Sequence, residues 1–211
     1  MTMTMPRSLT KKFLVAAVVL GTLFSSSAAF AATNGHSAAT PKQRVQQRGM
    51  TVTGFNAAVA KAHGYKIVTY ANGSQQSVPI NPKSHLPKSP ILYRDRGVRS
   101  DTNIDYNQVS GNCGISWIRV SQTGISKVAV VSGFKNAPLT AIDWSWTVSL
   151  NDENGSSEQV AGGLIFNNQA SRIWSNLNQY GCTFDYVLSG VAELIDGTIC
   201  TSGQPDVAIN L

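Results

Sequence analysis

Alternation of apolar and polar residues over 142–150 is the feature that most constrains this fold. In the run IDWSWTVSL, five apolar side chains take every second position and four polar side chains lie between them. Because successive side chains of a β-strand point to opposite faces, this run predicts a strand with one dry face and one wet face. A single strand cannot cover its own apolar face, so a second layer must pack against it.

Similar runs recur through the second half of the chain. Alternating segments flanked by turn residues are found at 113–120, 127–134, 158–167, 172–177, 184–195, 198–200 and 207–209. Many short strands separated by turns predict a mainly β chain, with an antiparallel β-sandwich or barrel over residues 102–211. We expect Trp117, Trp144, Trp146 and Trp174 to supply much of its core.

The first residues of the chain have the layout of a secretory signal peptide. Basic residues precede an apolar run over 13–24, and small residues then lead to Ala29-Phe30-Ala31. About 20 apolar residues are needed to cross a bilayer, so this run is too short for a stable membrane span. Residues 1–31 are therefore predicted to be a signal peptide. The mature chain is expected to be secreted, extracellular and not embedded in a membrane.

Three further segments are expected between the signal peptide and the β domain. Residues 32–50 are polar and are predicted to be a disordered tail. Residues 51–80 are predicted to form an appendage, in which a short helix capped by Thr53 precedes a hairpin whose turn is Asn72-Gly73. Residues 81–101 are rich in proline and basic residues, which predicts an extended linker.

Charge is divided unevenly along the predicted mature chain. Residues 32–100 carry ten Lys or Arg and one acid, whereas residues 101–211 carry four Lys or Arg and ten acids. A basic arm of this kind can bind an anionic surface such as a cell-wall polymer. The favoured alternative is a solvated, disordered leader or an arm that folds back onto the acidic β domain. The predicted export excludes nucleic acid as a partner.

Three cysteines, Cys113, Cys182 and Cys200, favour a disulfide in an exported chain. If Asp196-Gly197 forms a two-residue turn, Cys200 pairs with Glu193, which lies about 35 Å along the strand from Cys182. A disulfide needs Cα atoms within about 7 Å, so a Cys182–Cys200 bridge requires a break in that strand. Cys113–Cys200 is the favoured pair and Cys113–Cys182 the alternative. The leftover Cys182 is expected to be buried, the alternatives being a functional thiol or an intermolecular bridge.

The positions of the histidines disfavour several classes of enzyme. His36, His63 and His85 all precede the predicted β domain, which contains none. A Ser-His-Asp site or a thiol nucleophile in that domain would lack its base. No Cys or His pair in the sequence has the spacing of a zinc site, and no phosphate loop or dinucleotide motif occurs. We therefore expect neither a metal nor a cofactor.

Carboxylates are the remaining candidates for catalysis. Five acids lie on or beside predicted strands: Asp143, Glu158, Asp185, Glu193 and Asp196. A glycosidase needs two such groups across a cleft, about 5 Å apart in retaining enzymes and about 6.5–9.5 Å apart in inverting ones. Spacing along the chain selects no pair, and solubility of the wet face explains Asp143 equally well.

Two functions are compatible with these features. The first is a secreted, non-catalytic β-sandwich module that binds a cell-surface, glycan or protein partner. Tyr106, Tyr180 and Tyr186 are candidates for its binding surface, because tyrosine combines an apolar ring with a polar tip. The alternative is a secreted carboxylate-dependent hydrolase such as a glycosidase. The lack of histidine in the β domain favours the module over the enzyme.

Short motifs at both ends of the β domain add a resemblance to known proteins. They are Gly111-Asn112-Cys113-Gly114, the run ICTSGQP at 199–205, and the run FNAAVA at 55–60 followed by His63-Gly64-Tyr65. This pattern resembles a group of small secreted actinobacterial proteins of unknown function, which share a helix-hairpin leader and a β domain bounded by two cysteines. The resemblance favours the Cys113–Cys200 pairing and implies no activity. Cys182 departs from the pattern.

Overall fold

Two antiparallel β-sheets packed against each other form most of the structure, and the chain is mainly β as predicted. The computed structural model describes residues 42–93, 111–164 and 167–211. The predicted signal peptide and Tyr106 lie outside these residues. All described residues belong to one compact unit, which includes the segment predicted as an appendage. None of the helices in these ranges is long and apolar enough to span a membrane.

The described elements are twelve strands and one short helix. The strands are β1 (Gln43–Gly49), β2 (Thr51–Phe55), β3 (Tyr65–Thr69), β4 (Gln75–Pro79), β5 (Ile115–Gly124), β6 (Lys127–Lys135), β7 (Ala141–Asp152), β8 (Gly155–Leu164), β9 (Gln169–Ser175), β10 (Cys182–Leu194), β11 (Thr198–Thr201) and β12 (Asp206–Asn210). The helix is α1 (Ala57–Ala62). Each of the eight segments predicted as strands by alternation overlaps one of β5 to β12.

The strands form two facing sheets and a separate hairpin. The four-stranded sheet has the order β1-β5-β6-β9. The six-stranded sheet has the order β2-β11-β10-β7-β8, and β12 pairs with the first part of β10 on the side that β11 occupies further along. Strands β3 and β4 pair only with each other. Every strand pair is antiparallel.

The core between the two sheets contains the predicted aromatic side chains, with one exception treated below. Trp146 is fully buried, and Trp144 and Trp174 are less than one tenth exposed. The ring of Phe134 lies 6.2 Å from that of Trp144 and 5.9 Å from that of Trp146, between ring centroids. The indole N–H of Trp146 donates to Ser132 Oγ at 2.9 Å, which satisfies a polar group that burial would otherwise leave unpaired.

Gly190 is required where β10 passes the ring of Trp146. The two residues are register partners on β10 and β7, and a Cβ on Gly190 would lie 2.6–2.8 Å from carbons of the indole. We expect Gly190→Ala to lower the free energy of unfolding by about 1–3 kcal/mol, because an overpacked core must shift. Urea unfolding measures this. The control is Gly54→Ala, whose added Cβ meets its nearest atom at 3.7 Å. Equal stability of the two variants would contradict the prediction.

Strand β1 corrects the expectation of a disordered tail for residues 42–50, and residues 32–41 lie outside the described residues. It pairs with β5, and its side chains at Gln46 and Arg48 bond to the start of β12 instead of entering the apolar core. Arg48 forms an ion pair with Asp206 at 2.6 Å, and Gln46 Oε1 accepts from the backbone N–H of Asp206. A polar segment can therefore form an edge strand, because its partners are backbone groups and polar side chains of the other sheet.

The predicted helix and hairpin are present, although the helix begins later than expected. Asn56, not Thr53, is the N-cap, and its side chain accepts from the backbone N–H groups of Ala58 and Val59. Thr53 lies in β2, where its hydroxyl is 2.7 Å from that of Thr201. The hairpin turn is at Asn72-Gly73 as predicted, with Gly73 at a φ of 82°.

The hairpin docks on the sandwich through the turn between β10 and β11. Ser77 Oγ donates to the carbonyl of Asp196 at 2.7 Å, and Tyr65 is buried beside it on the same face of the hairpin. Burial, with a smaller contribution from the Asp196 carboxylate, raises the pKa of Tyr65. The beginning of the predicted linker packs in turn against β4, because Ser89 N–H donates to the carbonyl of Ser77 and Leu92 pairs with Gln75.

The disulfide joins Cys113 to Cys200, as predicted, with Cα atoms 5.7 Å apart. Cys200 pairs across the sheet with Ala192 and not with Glu193, because the turn between β10 and β11 has three residues and not two. Cys182 is a free thiol and is exposed, so the prediction that it is buried is wrong. It begins β10 on the outer face, where the alternation of that strand places it in line with Phe184.

Candidate functional site

Trp117 lies on the outer face of the four-stranded sheet, so its predicted place in the core is wrong. It is partly exposed, whereas its neighbours Ser116 and Ile118 are fully buried. Strand alternation explains this, because Ile118 and Val120 point inward and Trp117 and Arg119 must then point outward. A large indole on the outer surface of a sheet is an unusual use of the residue and marks a candidate contact surface.

Strand register places Trp117 in a row across all four strands. Gln47 of β1 is opposite Trp117 of β5, which is opposite Gly133 of β6, which is opposite Gln169 of β9. Neighbouring strands are about 4.8 Å apart, so the two glutamine backbones are separated by about 14 Å. The row therefore has an indole near its centre and a carboxamide at each end.

Backbone, and not a side chain, covers Gly133 beside the indole. A Cβ at this position would lie 2.1 Å from the carbonyl oxygen of Asn168, so only glycine lets the start of β9 approach this closely. Asn168 is held there by two hydrogen bonds with the backbone of Phe134, at 2.8 and 3.1 Å. As a result, no side chain from β6 stands directly opposite Trp117.

Basic side chains surround this row. The outer face of the four-stranded sheet, which we call the tryptophan face, consists of positions 43, 45, 47, 49, 115, 117, 119, 121, 127, 129, 131, 133, 135, 169, 171, 173 and 175. These described positions include Arg119, Lys127 and Lys135 and no aspartate or glutamate. The guanidinium carbon of Arg119 is 6.0 Å from the centroid of the Trp117 ring, within cation–π range.

The outer face of the six-stranded sheet has the opposite charge. Its described positions carry Asp143, Glu158, Glu193 and Asp206. Asp206 is neutralised by its ion pair with Arg48 at the edge of the sandwich. The two outer surfaces of the sandwich therefore attract ligands of opposite sign, and an anionic ligand is drawn to the tryptophan face.

An open cavity of ≈ 450 Å³ lies on the tryptophan face. Trp117, Arg119 and Lys135 line it, together with side-chain amides from β1 and β9, among them Gln47 and Gln169. Small-molecule sites are usually concave, apolar over part of their lining, and supplied with a few polar groups that fix orientation. An indole flanked by amides can stack on the C–H face of a sugar ring while the amides bond its hydroxyls, because each carboxamide both donates and accepts.

The tyrosines predicted as a binding surface do not join this site. Tyr180 is 88% exposed in the turn before β10. Tyr186 lies on the outer face of the six-stranded sheet and packs against Phe184, with ring centroids 5.4 Å apart. Tyr106 is outside the described residues. A binding role for these three tyrosines stays a prediction.

The predicted carboxylates divide between the outer face and the interior. Asp143 and Glu193 are register partners on β7 and β10, so their Cβ atoms are about 5 Å apart on the outer face of the six-stranded sheet. Glu158 is on the same face, on β8. Asp196 is buried in the turn before β11, where it accepts from the N–H and hydroxyl of Thr198.

Asp185 is fully buried on the inner face of β10. One of its oxygens accepts from the Thr183 hydroxyl at 2.9 Å, and the other has no hydrogen-bond partner among the described residues. Burial raises the pKa of this carboxyl to about 7, and the hydrogen bond from Thr183 opposes part of that increase. A perturbed carboxyl often marks a catalytic site, but substrate cannot reach one that is closed off from solvent.

Trp117 and its row were missed by sequence reasoning, although part of the signal was present. The alternation of Trp117 with Ile118 and Val120 already separates the indole from those two residues. The glutamines of the row carry no such signal, because Gln47 and Gln169 meet Trp117 only through pairing between distant strands.

Comparison of the chain with protein-family models, curated proteins and solved structures finds no match. The resemblance to small secreted actinobacterial proteins of unknown function therefore stays a prediction.

Proposed function

We propose that this protein is a secreted, non-catalytic β-sandwich module that binds a cell-surface glycan through the tryptophan face. The observation that carries this proposal is the row Gln47, Trp117, Gly133 and Gln169, in which an outward indole lies between two carboxamides. The row is built on paired strands, so its side chains are positioned before the ligand arrives.

Stacking supplies the first part of the proposed affinity. The indole of Trp117 offers a large flat apolar surface, and it lines the open cavity of the tryptophan face. An aromatic ring of this kind covers the C–H face of a pyranose and removes apolar area from water. Gln47 and Gln169 would then bond hydroxyls on either side of the stacked sugar.

Charge directs the proposed module toward acidic polymers. Arg119, Lys127 and Lys135 give the tryptophan face a positive potential without a neighbouring carboxylate at its described positions. An anionic cell-wall polymer fits this potential better than a neutral one, and binding should weaken as salt is raised.

Secretion is the second part of the proposal. A signal peptide over residues 1–31 would deliver the chain to an oxidising compartment. The Cys113–Cys200 disulfide supports this, because structural disulfides persist in such compartments and are rare in the cytosol.

The central test is the loss of glycan binding in Trp117→Ala. We expect affinity for the bound polysaccharide to fall about thirtyfold, which matches the roughly 2 kcal/mol that a central aromatic contact contributes. Glycan arrays and pull-down with cell-wall fractions identify the ligand, and titration of the purified protein then measures the loss. Phe184→Ala is the matched control, since it removes an exposed aromatic ring from the outer face of the other sheet. Trp117→Ala binding with unchanged affinity would overturn the proposal.

The alternative is a carboxylate-dependent hydrolase, and one observation favours it. Asp143 and Glu193 lie side by side at a spacing of about 5 Å between Cβ atoms, near the separation used by retaining glycosidases. The open cavity beside Trp117 is on the other sheet, so these acids do not face it. Release of reducing sugar from a bound polysaccharide, abolished by Glu193→Gln and unaffected by Trp117→Ala, would establish the hydrolase and exclude the module.

A further inference from the structure

A second open cavity lies between the β3–β4 hairpin and the proline-rich segment that follows it. Its volume is ≈ 540 Å³, and it is separate from the cavity of the tryptophan face. We call it the hairpin groove. Its apolar lining includes Val68, Val78, Ile80 and Leu86, and Lys66 and Lys88 also line it.

The two faces of the hairpin have different neighbours: one packs on the sandwich, and the other lines the hairpin groove. One face carries Tyr65 and Ser77, which are buried against the sandwich. Alternation places Lys66, Val68 and Val78 on the opposite face. That second face would be open to water if the proline-rich segment did not lie beside it.

The proline-rich segment is fixed at both ends, so the hairpin groove is formed without a ligand. At its start, a turn is closed by hydrogen bonds from Ser84 to the carbonyl of Asn81 and from the N–H of Lys83 to the Asn81 side chain. At its end, Gln76 Nε2 donates to the carbonyl of Ser89 at 2.6 Å. Preformed sites bind without the entropic cost of ordering a loop.

Exposed apolar side chains and positive charge coincide in the hairpin groove. Ile80 is 50% exposed and Leu86 is 45% exposed, although both line the same concave surface. Residues 42–93 contain seven Lys or Arg and no aspartate or glutamate. Lys66 and Lys88 form no ion pair with the described residues. A groove that combines apolar side chains with two ammonium groups fits a ligand that has an apolar chain and an anionic head group.

We propose that the hairpin groove binds a free fatty acid, with its carboxylate at Lys66 and Lys88 and its alkyl chain along Val78, Ile80 and Leu86. Burial of the chain against these side chains provides affinity, and the ammonium groups select an acid over an alcohol. This site is distinct from the glycan site in place and in ligand chemistry.

An acidic peptide is a poorer fit to the same groove. A bound peptide needs partners for its own backbone N–H and C=O groups, which an exposed strand edge would supply. The free edge of β4 is already occupied, because Ser89 bonds to Ser77 and Leu92 pairs with Gln75. An alkyl chain has no such requirement.

Titration of the full protein with decanoate, below its micellar concentration, tests the proposal. We expect saturable one-site binding, with 1-decanol bound about fivefold or more weakly and acetate not bound. Lys66→Gln with Lys88→Gln should weaken decanoate binding about tenfold. Ile80→Ser with Leu86→Ser should weaken it by about tenfold or more. Lys61→Gln and Val160→Ser are controls, since they make the same changes at exposed positions that do not line the groove.

Three results would overturn the proposal. The first is equal affinity for decanoate and 1-decanol, which would show that the lysines do not bind the carboxylate. The second is tighter binding of a peptide of alternating aspartate and leucine, competing with decanoate. The third is binding to phosphatidylglycerol vesicles without any binding of free decanoate. Thermal unfolding of each variant shows whether it is folded, and the double lysine variant, which changes only exposed side chains, keeps the test valid if the serine variant does not fold.

Discussion

Replacing both Cys113 and Cys200 by alanine is expected to lower the free energy of unfolding by about 4–5 kcal/mol. The disulfide closes a loop with a sequence separation of 87, and the chain-entropy account gives this value for a loop of that length. The total stability of a domain is about 5–15 kcal/mol, so the change removes a large share of it.

The position of the disulfide explains why its loss should be felt by the whole sandwich. Cys113 lies in the turn that leads into β5 of the four-stranded sheet, and Cys200 is in β11 of the six-stranded sheet. Beside it the chain crosses between the sheets at Met50, whose N–H and carbonyl bond to Gly114 and Cys113. The disulfide therefore links the two sheets beside Met50, the residue at which the chain passes from one sheet to the other.

Urea unfolding of the oxidised protein and of the double alanine variant measures the effect. Cys182→Ser is the matched control, because Cys182 is exposed and forms no disulfide, so its replacement should change stability by about 0.5 kcal/mol or less. A double variant within about 1 kcal/mol of the parent protein would contradict the prediction. Such a result would mean that the disulfide restricts the unfolded chain much less than the chain-entropy account assumes.

The strands of the second half could be predicted because each has one face in the core and one in water. Trp144, Trp146 and Val148 alternate with polar residues along β7, and this period of two is sufficient to identify the strand. In β5 the same period places Trp117 with Arg119 on the wet face, but Cys113 and Ile115 share that parity. The sequence alone therefore leaves the side of the indole open.

Strand β1 could not be predicted because its neighbours are distant in sequence. Gln46 and Arg48 look like residues of a solvated tail, and they become structural only when β12 brings Asp206 beside them. The tryptophan face could not be predicted for the same reason, since Gln47 and Gln169 meet Trp117 only through the register of four strands. Alternation identifies strands one at a time and carries no information about which strands pair.

The stability of the protein is expected to fall as pH rises from about 4 to about 7, and Asp185 is the cause. Its carboxyl has a pKa of about 7 in the folded protein, where burial disfavours the charged form, against 3.8 for an unperturbed aspartate. Between these values the folded protein keeps a proton that the unfolded chain has lost. Unfolding therefore releases a proton in this range, and rising pH favours the unfolded state.

The size of this effect follows from the separation of the two pKa values. Each tenfold change in proton concentration corresponds to about 1.4 kcal/mol, so the loss reaches at most about 4 kcal/mol above pH 7. Below about pH 4 the carboxyl is protonated in both states and contributes no pH dependence. Asp185→Asn keeps the shape of the neutral carboxyl and an oxygen that can accept from Thr183, and it cannot ionise.

Urea unfolding at a series of pH values from about 4 to about 8 compares Asp185→Asn with the parent protein. We expect the variant to be more stable by a few kcal/mol at the upper end, with the difference shrinking toward the lower end. Asp143→Asn removes a carboxylate from an exposed position of β7 and controls for the loss of one negative charge. The same slope of stability against pH in Asp185→Asn and in the parent protein would show that the buried carboxyl is not responsible. A slope that disappears in the variant would identify Asp185 as a group that makes this sandwich more stable in mildly acidic than in neutral surroundings.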